Sequence, residues 1–191
     1  MRHRIFLACF LVCGITSEAV HAQLNTEQAS IRKVFFDFLS FYKKNETAFN
    51  SFRLYRGPGE SEGPPYRVQW KEVEKYFSYL RTRVPFVGEA YIAAERKHFQ
   101  FSDSCFRAEP EEELPAGFDY DRWAGGQESI EYTLPYYTAK SNIYKVTIRG
   151  NKAELRIGSP LSGEQTSWAM VPFVKEKGRW KMADNVYPVD E

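Results

Sequence analysis

Downstream of Asn25 the apolar residues Ile31, Val34, Phe35, Phe38, Leu39 and Tyr42 recur at the three- and four-residue spacing of one helix face. The pattern predicts a helix from Asn25 to Lys44, opened by a capping box of Asn25 with Gln28. Phe36 and Phe41 lie off the stripe, so this helix buries more than one side, as a helix held inside a curved sheet does. Residues 56–65 carry three glycines and three prolines and predict a loop. Trp70, Val73, Phe77, Leu80 and Val84 then return to a helical period, which Pro85 stops. Val87, Ala90, Tyr91, Ala94 and His98 continue on one helical face, whereas Phe99, Phe101 and Cys105 alternate as in a strand. The expectation there is a short helix to about residue 97 followed by an extended stretch. Residues 108–128 predict a long irregular segment, a length of loop that is often functional.

The last third of the chain changes period. Tyr144, Val146 and Ile148 alternate, Gly150-Asn151 turns the chain, and Ala153, Leu155 and Ile157 alternate back, which predicts a β-hairpin. A second hairpin is expected from Trp168 to Lys175 and Arg179 to Met182 around Lys177-Gly178. Ser129 to Tyr137 predicts one more strand, with Pro135 near its end or on an edge. Helices first and an antiparallel meander afterwards give an α+β fold, N-terminal helices packed on a curved antiparallel sheet. There is no internal repeat and no sign of a second domain.

The first 22 residues read differently. Arg2, His3 and Arg4 precede an apolar run from Ile5 to Ile15, and Val20-His21-Ala22 resembles a cleavage site, so residues 1–22 predict a secretory signal peptide. The run is shorter than the roughly 20 residues a membrane span needs. Lipid attachment is the alternative processing, although Cys13 follows bulky Val12 and Cys9 follows too short an apolar run. Cleavage at Ala22 leaves 169 of the 191 residues as a single domain over 23–191, with Cys105 as its one cysteine and no internal disulfide. Without Arg2, Arg4 and Glu18 the chain has 24 basic and 24 acidic residues, a balance that argues against nucleic acid and against a polybasic membrane patch. The expected location is periplasmic or secreted.

The long N-terminal helix, the short helices after it and the final meander ending in Glu176-Lys177-Gly178-Arg179-Trp180-Lys181 resemble the nuclear transport factor 2-like superfamily, the cystatin-like cone. Gly117-Phe118-Asp119-Tyr120-Asp121-Arg122, followed by Gln127-Glu128, more narrowly resembles a branch of secreted and lipoprotein members from bacterial envelopes. The resemblance covers most of residues 25–187. It implies a cone fold and an envelope address; the superfamily holds enzymes, binding modules and structural subunits, and fold does not fix function.

His98 is the only histidine left after cleavage, so a His-rich metal site is excluded and a catalytic triad would depend on one residue with no obvious orienting carboxylate. Asp119, Asp121 and Glu128, with Asp103 and Arg122 as possible partners, form the best candidate carboxylate cluster. They suit a hard cation or an acid and base pair, and suit turn and capping chemistry equally, whereas the denser block Glu109, Glu111, Glu112 and Glu113 around Pro110 reads as a solvated loop. No phosphate loop, dinucleotide fingerprint or nucleophile elbow is present, so no cofactor is expected. Tyr132, Tyr136, Tyr137, Tyr144 and Trp123 serve as core lining or as an aromatic rim for an apolar ligand or a partner's loop. The sequence therefore predicts a non-enzymatic periplasmic domain binding an envelope protein, a periplasmic toxin or a small apolar ligand through Asp119, Tyr120, Asp121, Arg122, Trp123, Gln127 and Glu128. The competing expectation is a dehydratase or isomerase using Asp119 or Asp121 with a tyrosine.

Overall fold

The apolar stripe near the N-terminus forms helix α1 (Ser17–Phe49), with Ile31, Phe35, Phe38, Leu39 and Tyr42 all buried. The structure is a computed structural model that describes residues 17–59, 63–161 and 166–189. The apolar run Ile5 to Ile15 lies outside the described residues, and α1 passes through Ala22, where cleavage is predicted. Phe36 packs edge-on against Tyr144 on one flank of α1, and Phe41 against Phe86 on the other, so the helix is gripped on two sides as its off-stripe aromatics imply. Near its end α1 kinks at Asn45 (φ −120°, ψ 15°), whose side chain donates to the Phe41 carbonyl. The last turn then carries Phe49 into a cluster with Phe38, Tyr42 and Trp123.

Two short strands, β1 (Tyr55–Arg56) and β2 (Arg67–Val68), pair antiparallel and clip the base of the Gly/Pro loop. Helix α2 (Trp70–Arg83) follows, and ends where Pro85 requires. Helix α3 (Glu89–Ala108) runs unbroken for 20 residues, which corrects the expected change to extended chain near residue 97. Its buried stripe is Tyr91, Ile92, Glu95, Phe99, Ser102 and Phe106. Two polar residues occupy that stripe, so its helical period is hidden from an apolar count, and Phe101, which suggested alternation, is 60% exposed.

Residues 109–129 are irregular, as expected. Ser129 to Tyr137 is not a strand: Ile130–Tyr137 forms helix α4 with Pro135 inside it. The side chain of Asn142 donates to the Tyr136 and Tyr137 carbonyls, and the Tyr144 hydroxyl also donates to that of Tyr137. Groups from the following segment thus satisfy the carbonyls that a short helix leaves open.

The meander is β3 (Ile143–Arg149), β4 (Lys152–Pro160), β5 (Thr166–Glu176) and β6 (Arg179–Met182), both hairpins forming where the turn residues place them. A further strand, β7 (Tyr187–Val189), pairs with the first half of β5 beside β6. Among the described residues, four helices pack against an antiparallel sheet of five strands, an α+β architecture. The core lies between α1 and the sheet face bearing Leu155, Val171, Phe173 and Met182, and extends into α2, α3 and residues 118–130. No helix among the described residues is long and apolar enough to cross a membrane.

Candidate functional site

The irregular segment 109–129 is anchored by a tight turn built on Asp121. Its backbone N–H donates to the Gly126 carbonyl, and its own carbonyl accepts from Gly125 and Gly126. One carboxylate oxygen accepts from the Trp123 and Ala124 amides, each at 3.0 Å, and the other from the Tyr42 hydroxyl at 2.9 Å. Of the two roles open to Asp121, the structure assigns turn chemistry. Burial pushes its carboxyl above the usual range, opposed by these donated bonds, and burial together with the Asp121 charge raises the Tyr42 phenol.

The next residue points the other way. Arg122 is 3% exposed and its guanidinium lies over the ring of Phe99, 4.5 Å from the centroid, with Phe118 and Trp123 also around it. It donates at 2.5 Å to Glu95, which is fully buried on the stripe of α3. The same carboxylate oxygen accepts from the Tyr76 hydroxyl at 2.8 Å, and the other accepts from the Asn185 side-chain amide at 2.8 Å. The Trp123 indole donates to Tyr76 at 2.7 Å, and the Tyr91 hydroxyl donates to Asn185. Burial holds the Tyr76 and Tyr91 phenols well above their usual range, so both remain donors at any ordinary pH. Helices α2 and α3, segment 109–129 and the chain after β6 meet in this one network.

His98 is a structural residue here. Its Nε2 lies 2.9 Å from the Gly117 carbonyl, and burial followed by the Arg122 charge lowers its pKa, which favours the neutral ring. Asp103 pairs with Arg107 on α3, Asp119 and Glu128 face solvent, and Arg122 belongs to Glu95, so the carboxylate group suggested by the sequence does not converge. Among the described residues no group of three or more His, Cys, Asp or Glu side chains is placed to hold a metal ion. Cys105 is half-buried and free.

Above the network lies an open cleft of about 1530 Å³ between the end of α1 with residues 50–59 and residues 118–129. Tyr120, Asp121, Arg122, Trp123, Gln127 and Glu128 all line it, and Asp119 does not. The opposite wall supplies Glu46, Asn50, Arg53, Tyr55 and Arg56, a set the sequence does not mark because it is spread over the end of α1, the turn after it and β1. The expected tyrosine rim divides: Tyr137 is buried, Tyr144 packs beneath Arg32, and Tyr132 and Tyr136 stand exposed on α4. Glu95, Tyr76 and Asn185 were also missed. The readable signal was a carboxylate on the apolar stripe between Ile92 and Phe99.

No protein-family model matches the chain, and no curated protein or solved structure is significantly similar to it.

Proposed function

We propose that this chain is a non-enzymatic, periplasmic binding domain that receives a loop of an envelope protein or of a periplasmic toxin in the cleft between the end of α1 and residues 118–129. The observation that carries this reading is the cleft wall. Aromatic rings, two exposed arginines and amide side chains converge on one large open space. The carboxylate on that wall most suited to proton transfer, Asp121, has both oxygens engaged by Tyr42, Trp123 and Ala124. Asp119 stands in solvent outside the cleft. Such a surface suits recognition better than general acid and base catalysis, which needs a poised group within reach of a substrate.

The test is affinity capture from periplasmic extract with the parent chain and with a Tyr120→Ala/Glu128→Arg variant, both residues being exposed in the cleft. A specific protein retained by the parent and lost by the variant supports the reading. Equal recovery by both chains, or turnover of a metabolite by the pure protein that Asp121→Asn abolishes, would overturn it.

A further inference from the structure

The five-stranded sheet has a second face. Leu155, Val171, Phe173 and Met182 turn toward α1, so their neighbours along each strand turn away from it. Register aligns these outward residues in rows across the sheet: Lys145, Arg156 and Met170; Thr147, Glu154 and Pro172; Arg149, Lys152 and Val174. An antiparallel sheet with one wet face normally alternates apolar and polar residues. Strand β5 departs from that rule, since Met170, Pro172 and Val174 form a half-buried apolar floor on the outer side.

Like charges face one another around this floor, and one of them, Lys145, also lies over the Trp168 ring at 4.2 Å. Lys145 stands directly opposite Arg156, and Arg149 directly opposite Lys152. Like charges facing each other across strands destabilise a sheet. Among the described residues, Arg149, Lys152 and Arg156 have no ion-pair partner within 4 Å. Glu154 is the one carboxylate in the three rows, and Asp184 lies at the rim. Over Pro172 and Val174 the face dips into a depression of about 350 Å³, walled by Arg149, Lys152 and Glu154.

We propose that this outer face is a docking surface for an acidic segment of a protein partner, one that seats an apolar side chain over Pro172 and Val174 with carboxylates set against Arg149, Lys152 and Arg156. Charge selects the sign of the occupant and relief selects its kind. A second copy of the chain meeting it face to face would set cations against cations. A lipid surface is entered by protruding apolar side chains, whereas this apolar floor is recessed and accepts a protrusion from the other side. The surface is separate from the cleft and stands whether or not the cleft binds.

The test uses the full chain and a dye-labelled peptide, a leucine flanked on each side by two glutamates, followed by fluorescence anisotropy at low salt. Controls are the same peptide with glycine for leucine, the peptide with lysines for glutamates, and phosphatidylglycerol vesicles in cosedimentation. The key variant is Lys152→Glu/Arg156→Glu, which turns both like-charge cross-strand pairs into opposite ones. We expect its melting temperature to equal or exceed that of the parent while its affinity for the glutamate-leucine peptide falls about tenfold or more. Loss of binding on replacing leucine with glycine, and unchanged binding by Tyr120→Ala, would support the depression as the seat. Equal binding by parent and variant, no binding at about millimolar peptide, or cosedimentation with vesicles in place of peptide binding would overturn the proposal.

Discussion

Replacing Arg122 by methionine isolates the central interaction of the fold. The substitution keeps most of the unbranched stem and removes the guanidinium, which lies over Phe99 and donates to Glu95. Glu95, fully buried, is then left as a carboxylate with only Tyr76 and Asn185 as donors. Breaking a buried ion pair from one side costs about 3–5 kcal/mol, because the surviving charge stays out of water without its partner. Two retained neutral donors place this case near the lower end, about 3 kcal/mol. For a chain of this size such a loss lowers the melting temperature by roughly 6–12 °C. The companion variant Glu95→Leu/Arg122→Met removes both charges and leaves only the Tyr76 hydroxyl and the Asn185 amide short of an acceptor, at about 1 kcal/mol each. Equilibrium urea unfolding of the parent, both single variants and the double variant gives the coupling energy directly. The double variant is expected to be more stable than Arg122→Met alone. An Arg122→Met cost below about 1 kcal/mol, with no recovery in the double variant, would show the pair behaving as a solvated surface bridge and refute the network as the anchor of segment 109–129.

Three further outcomes are expected. Because burial lowers the His98 pKa, the unfolded chain binds the proton more readily than the folded one; stability is complete above the ordinary histidine value of about 6.5 and falls as pH drops toward the folded value, a slope that His98→Gln should remove in urea titrations between about pH 5 and 7. Asp121→Ala strands the Trp123 and Ala124 amides and the Tyr42 hydroxyl and should cost about 2–3 kcal/mol, whereas Asp121→Asn keeps an acceptor for the two amides and should cost about 1 kcal/mol, both read from urea midpoints. Gly125→Ala would set a Cβ 2.6 Å from Val186 Cβ at φ +71°, while Gly150→Ala at φ +62° meets nothing within 4 Å; the first should destabilise by several kcal/mol and the second by about 1 kcal/mol, and equal costs would show that the Val186 contact yields freely.

Much of the fold was legible because its signals are local. Ile31 to Tyr42 repeat at the helical period, and Gly150-Asn151 and Lys177-Gly178 mark turns between alternating strands, so α1 and both hairpins follow from neighbours in sequence. Legibility ended where a distant group completes the element. Helix α3 carries Glu95 in its first half and Ser102 in its second on the buried stripe, and Glu95 can be there only because Arg122, Tyr76 and Asn185 arrive from three other segments. Helix α4 depends on Asn142 and Tyr144 to cover its last carbonyls. The candidate residues Asp119 to Glu128 stand out in the sequence by spacing and chemistry, and the tertiary structure divides their roles, leaving Asp119 in solvent outside the cleft. Asp121 forms the turn, Arg122 the buried pair, and Tyr120, Gln127 and Glu128 remain exposed on the cleft wall. The sequence by itself determined the class of fold and the order of its elements, since period and turn chemistry act over a few residues. Which charged groups are buried, and which face a ligand, was decided only by packing, because desolvation is set by all the segments that surround a side chain.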